Sequence, residues 1–239
     1  MALIEAKNLT KIYHTGETET PALRGASFTI QEGEFVAIMG PSGSGKSTLL
    51  HIIGFLDRQT DGEYRFNGKT WDDLTQDQIA HVRNKEMGFV FQAFNLLPRA
   101  TVLENVTLPL IYSNVKKASW EKMALKAIES GGLSHRVEHT TAQLSGGEKQ
   151  RAAIARALVN QPRVIFADEP TGNLDSKSGK QVMEILQQLN DNYHHTIILV
   201  THETYTAEHA KRIIHMYDGK VDKDTGVDHR HRAHDEFKK

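Results

Sequence analysis

The stretch Phe35-Val36-Ala37-Ile38-Met39-Gly40-Pro41-Ser42-Gly43-Ser44-Gly45-Lys46-Ser47-Thr48-Leu49-Leu50-His51-Ile52-Ile53 joins three kinds of sequence. Its first five residues are an unbroken apolar run, the mark of a strand buried on both faces. Gly40 to Ser47 matches G-x-x-x-x-G-K-[ST], and the residues behind it continue as a helix. Glycines at Gly40, Gly43 and Gly45 let backbone N–H groups converge on phosphate oxygens where side chains would block the approach. The helix that follows turns its positive dipole end toward the same anion. Lys46 is expected to reach the β- and γ-phosphates, the Ser47 hydroxyl to ligate Mg²⁺, and Pro41, Ser42, Ser44 and Thr48 to complete the nucleotide cradle.

Outward from this loop, short apolar runs alternate with amphipathic stretches, the pattern of a mostly parallel sheet covered by helices. Strands are expected at Gly88 to Phe91, Val164 to Ala167, Thr196 to Val200 and Ile213 to Tyr217. Glu63 to Phe66 followed by Asn67-Gly68 reads as a hairpin, because both central residues of a type I′ turn need positive φ. From about Thr101 to Asn160 the helical period takes over. Trp120, Met123, Ala124, Ala127 and Ile128 recur at helical spacing, with Gly131-Gly132 as the stop. The organisation expected is one domain over 1–221, its core 1–92 and 161–221, with a helical insertion at about 93–160. A polar tail, 222–239, carries His229, His231 and His234 and is expected to be solvated.

Val164-Ile165-Phe166-Ala167 ends in Asp168-Glu169. In open α/β sheets ligands bind beyond the carboxyl ends of strands, where these acids emerge. Asp168 is expected to hold Mg²⁺ through water, and Glu169 to act as general base on the water attacking the γ-phosphate. Ser145, with Glu148 three residues on, forms a capping box before the helix-forming run Ala152 to Leu158. Ser145, Gly146 and Gly147 therefore mark a second helix N-terminus suited to an anion.

Leu144-Ser145-Gly146-Gly147-Glu148, followed by Lys149-Gln150-Arg151, resembles the signature of ATP-binding-cassette (ABC) ATPases. The resemblance covers the chain to about Val221, with the motifs in order. It departs at Glu148, where the commonest family signature has glutamine. It implies an α/β P-loop NTPase (RecA-like) core with an N-terminal antiparallel β subdomain and an inserted α-helical subdomain. By the same resemblance Tyr13 stacks on adenine, and Gln92 senses Mg²⁺ and the attacking water. Asp175, in Asn173-Leu174-Asp175, crosses a dimer interface, and His202 contacts the γ-phosphate. Two cassettes are implied to stack head to tail, each signature capping the ATP of the other chain. Gly88 to Pro98, Glu104-Asn105-Val106, Leu108-Pro109-Leu110 and Ala167 to Asp175 further resemble the subgroup that energises lipoprotein release and macrolide or peptide efflux.

The expected function is thus an ATPase, using ATP and Mg²⁺, that drives a membrane permease carried on a separate chain. A cassette serving repair, translation or iron–sulfur assembly is the competing reading. Repair members carry coiled-coil or zinc insertions, and translation factors fuse two cassettes. A kinase or GTPase would leave Leu144 to Glu148 unexplained. Lys+Arg 29 against Asp+Glu 30 provides no general field for nucleic acid, so no such partner is expected. The absence of cysteine excludes disulfides, thiolate metal sites and cysteine nucleophiles. With no spanning apolar run and no secretory signal, the expected place is the cytoplasm, peripheral on the inner membrane face through the permease.

Overall fold

The computed structural model describes residues 2–16 and 18–232. In chain order the elements are β1 (Ala2–Thr15), β2 (Thr18–Gln31), β3 (Phe35–Met39), α1 (Lys46–Ile53), β4 (Asp61–Phe66), α2 (Gln76–Glu86) and β5 (Met87–Phe91). Then follow α3 (Val102–Thr107), α4 (Trp120–Ser130), α5 (Gly146–Leu158), β6 (Val164–Asp168), α6 (Ser176–Asp191), β7 (Thr196–Thr201), α7 (Thr204–Ala207), β8 (Arg212–Tyr217) and β9 (Lys220–Gly226).

The central sheet has the order β5-β6-β7-β3-β8-β9. All its pairs are parallel except β8 with β9. Successive residues of β3 serve opposite faces, which explains its continuous apolar run. Phe35 and Ala37 join the core cluster shared with Val102, Ile128 and Ile154 of the helical layer. Val36 and Ile38 join the cluster shared with Leu3, Leu9 and Tyr64 of the antiparallel layer. Both faces are therefore dry, as parallel strands require. The register Phe91↔Asp168↔Val200 brings the carboxyl ends of β5, β6 and β7 level, and Met39↔Thr201 adds the end of β3.

The second sheet, β2-β1-β4, is antiparallel. Its long β1–β2 hairpin is absent from the sequence reading, because register shifts and a left-handed Asn8 (φ 49) break the two-residue period. Asn67 and Gly68 do adopt positive φ, 50° and 78°. The expected hairpin is nonetheless cut short. Its return arm is a single bridge, Phe66↔Lys69, and β4 takes β1 as its partner.

In the helical layer, α4 buries Ala124, Ala127 and Ile128 and stops at Gly131, with Gly132 left-handed. The polar tail is exposed over 222–226 and is also structured. Residues 220–226 form β9 against β8, and Arg212 clamps it through Asp224 at 2.6 Å. Beyond it Arg230 pairs with Asp191, and His231 with Glu208 at 3.0 Å. These partners are remote in sequence, so composition alone could not show that they hold the tail down. Of the tail histidines His234 lies outside the described residues, and no metal-binding group of His and acids occurs among those described.

Candidate functional site

The phosphate loop leaves β3 and enters α1 with no side-chain cap; Gly45, at φ 95, is the N-cap residue. Its glycines are forced by contact. A Cβ on Gly40 would lie 2.3 Å from the Met216 carbonyl oxygen, and one on Gly45 would lie 2.5 Å from that of Ala22. The loop is thus pinned between β8 and the β1–β2 hairpin. Lys46 is only 8% exposed, and its Nζ donates to the carbonyls of Gly40 and Pro41, both at 2.8 Å. Burial pushes the ammonium below its usual range, opposed by the carboxylates of Glu169 and Asp168. The Ser44 hydroxyl is buried without a hydrogen-bond partner, leaving a loop donor unused.

Across a cavity of about 440 Å³ from this loop stand the ends of β5, β6 and β7. The lining brings together Ser42, Gly43, Gly45, Lys46, Ser47 and Thr48 with Gln92, Asp168, Glu169 and His202. Ala22 closes one side, a residue the sequence reading passed over because alanine carries no chemical signal. Burial, then the neighbouring Glu169, push the Asp168 carboxyl above its ordinary range, with His51 and Lys46 opposing. Glu169 adopts the left-handed conformation, φ 46, while its N–H donates to the Val200 carbonyl. A non-glycine residue held there costs on the order of 1–2 kcal/mol, a burden typical of functional positions. Its Oε1 is 2.7 Å from His202 Nδ1, and its Oε2 accepts from Thr201 Oγ1 at 3.2 Å. Thr201, also unread in the sequence, would have been suggested only by its place beside His202.

Gln92 is tied to the segment after β6. Its Nε2 donates to Asn173 Oδ1 at 3.3 Å, and Asn173 Nδ2 donates back to the Gln92 carbonyl at 3.1 Å. Gly172 leaves room for this, since a Cβ there would meet Gln92 Nε2 at 2.6 Å.

Other expected residues stand apart from the cavity. Tyr13 lies on β1 opposite Thr20, two residues before Ala22. Its hydroxyl donates to Asp57 Oδ2, and Lys11 Nζ lies 5.0 Å from its ring centre. Ser145 caps α5: its Oγ accepts from Glu148 N–H, and Glu148 Oε2 accepts from Ser145 N–H. None of Ser145, Gly146 and Gly147 lines the cavity. Gly147 packs instead on Ser178, whose Oγ a Cβ would approach to 2.5 Å. Asp175 caps α6, accepting from Ser178 N–H and Oγ, bonds that hold its carboxyl below the usual range.

The sequence profile of the family described as "ABC transporter" matches residues 23–172. An ABC transporter ATP-binding protein of Methanocaldococcus jannaschii, named MJ1508, is 51% identical over 92% of this chain and 97% of its own length. The macrolide export ATP-binding/permease protein MacB of Bdellovibrio bacteriovorus is 51% identical over 93% of this chain. This chain spans only 34% of that relative, about a third of its length. A dimeric structure of the ATP-binding cassette MJ0796 bound to ADP and Pi superposes with a TM-score of 0.85 and 45% identity, over 94% of this chain and 98% of that one. With its profile match and a relative 51% identical over nearly the whole of both chains, this chain belongs to the ABC transporter family.

Proposed function

We propose that this chain binds ATP in the cavity between the phosphate loop and the ends of β5, β6 and β7 and hydrolyses it to ADP and phosphate. The observation that carries the reading is Glu169, a carboxylate fixed by His202 and Thr201 across the cavity from Lys46. The phosphate loop and Lys46 hold the β- and γ-phosphates, and Tyr13 stacks on adenine. Glu169 takes the proton of the attacking water. The water oxygen bonds to the γ-phosphorus as the bond to the bridging oxygen breaks, and ADP leaves with that electron pair. An ionised carboxylate only accepts hydrogen bonds, so His202 donates to Glu169 from Nδ1–H, and it reaches a phosphate oxygen as a donor only when Nε2 is protonated as well.

Ser47, Gln92 and Asp168 are hard oxygen donors lining one cavity, a set that suits Mg²⁺, which keeps several waters and shares phosphate oxygens. When bound there, Mg²⁺ neutralises charge on the phosphates.

Ser145, Gly146 and Gly147 stand outside the chain's own cavity, which supports a head-to-tail dimer in which each signature caps the partner's nucleotide. Asp175 lies beside it at the start of α6. MJ0796, of the same fold, is described as dimeric. We further propose that a membrane permease docks against the helical layer. An apolar groove of about 980 Å³ between Leu97, Leu103, Ile111 and Trp120 remains open there, with Ile111 and Tyr112 exposed. We place the chain peripherally on the inner face of the membrane, held there by the permease; no helix among the described residues is long and apolar enough to cross a membrane.

ATP hydrolysis by the purified chain, rising with the square of protein concentration at low concentration, tests the reading. A rate strictly linear in protein over the whole range would reject the shared site.

A further inference from the structure

Glu148 uses both of its oxygens. Oε2 accepts from Ser145 N–H, and Oε1 accepts from Arg136 Nε, each at 2.8 Å. The carboxylate is 13% exposed and the guanidinium 33%, so the pair is partly shielded. His135 Nε2 stands 4.0 Å from the same oxygen, and Arg136 Nη1 is 3.0 Å from His139 Nε2. Donation from Ser145, then from Arg136, holds the Glu148 carboxyl at about 2, so it is ionised at any working pH.

An acid in the first turn stabilises a helix. It has the opposite effect on a second anion approaching the same end. Glutamine at this position would cap equally well without charge. This chain instead sets a full negative charge beside the amides that, on the dimer reading above, receive a γ-phosphate, and then lays Arg136 over it. We infer that Arg136 is a positioning residue of this phosphate site: by pairing with Glu148 it cancels the repulsion the carboxylate would exert on the partner's ATP. The inference rests on the head-to-tail reading.

A merely structural brace and a charge-compensating one forecast different orders. For a brace, loss of either partner loosens Ser145, so Arg136→Ala and Glu148→Gln both weaken ATP-driven dimerisation. For charge compensation, the charge left at the helix end sets the order. Arg136→Ala leaves the acid unmatched and binds worst, while Glu148→Gln leaves a cation and binds best. The double variant returns to the parent.

The experiment measures, in a Glu169→Gln background, the ATP concentration giving half-maximal dimer by light scattering. Expected is a rise of about fivefold for Arg136→Ala at low salt, shrinking toward the parent near 0.5 M salt, roughly the scale of one screened charge. Glu148→Gln is expected to need less ATP than the parent, and the double variant about the same. Arg136→Gln replaces Arg136→Ala if the latter melts early. A double variant no better than Arg136→Ala, or a Glu148→Gln protein needing more ATP than the parent, overturns the inference alone. A parent that binds ATP yet never dimerises overturns the dimer reading, and the inference falls with it.

Discussion

His202 Nδ1 lies 2.7 Å from Glu169 Oε1, and Thr201 Oγ1 donates to the other oxygen of the same carboxylate at 3.2 Å. The carboxylate therefore has both oxygens oriented by residues at the end of β7, one strand away from its own. Its left-handed backbone turns it out of β6 toward them. A carboxylate held from two sides has the fixed geometry that the proton abstraction proposed above requires.

Glu169→Gln is expected to keep these contacts in shape while removing the proton acceptor. Turnover should fall by about 10²–10⁴-fold, the usual worth of a general base, with nucleotide affinity preserved. A stable dimer should then accumulate with ATP on gel filtration. Hydrolysis at the parent rate in this variant would end the assignment of Glu169.

Lys46→Ala removes a buried cation aimed at the loop. Charge-assisted hydrogen bonds are worth about 1.5–3 kcal/mol each, so ATP affinity measured by calorimetry should drop by about 10–150-fold. The fold should survive, because the two carbonyls that Lys46 now serves are also loop acceptors within reach of water. An unchanged binding constant would place the phosphates elsewhere.

The loop was readable because each of its parts has a local cause: an apolar run, glycines, then a helix. The Ser145 capping box was readable for the same reason, since both members lie three residues apart and both bonds form. The β1–β2 hairpin was not, since bulges at Ala6/Leu9 and Leu9/Thr10 scramble its alternation. Arg136 on Glu148, Asn173 on Gln92 and Arg230 on Asp191 were also hidden. Each joins side chains whose meeting depends on how separate elements pack, and no spacing rule reports that. Arg156 is a further case: from α5 it donates to the carbonyls of Phe94 and Asn95, which are consecutive left-handed residues just past Gln92.

Gly40→Ala should damage the site through the backbone. The added Cβ would meet the Met216 carbonyl oxygen at 2.3 Å and Ser44 Oγ at 2.7 Å, so β8 or the loop must move. Overpacking of this kind costs about 1–3 kcal/mol. A lower melting temperature together with weaker ATP binding is expected. A melting temperature equal to the parent's would show that the loop yields freely.

Ser145→Arg should spare nucleotide binding by the single chain, because Ser145 lies outside its cavity, yet abolish ATP-dependent dimerisation. Calorimetry and gel filtration with ATP separate the two effects. Loss of binding in the monomer would mean that the signature serves its own chain.

Acid should weaken the α5 end in a predictable window. The Glu148 carboxyl is held at about 2 against an ordinary value of 4.5. A depressed value means the folded state prefers the ionised form, so the stabilisation is complete above pH about 5 and drains away as pH falls toward 2. The full shift corresponds to about 3 kcal/mol by linkage, and partial solvent access lowers it to about 1–2 kcal/mol. Glu148→Gln keeps the cap but has no charge to lose. Its melting temperature should therefore lie below the parent's at pH 7, by about 2–8 °C for a chain of this size. The gap should close steadily between pH 5 and pH 3. A constant gap over that range would show that the Arg136 pair contributes nothing through its charge.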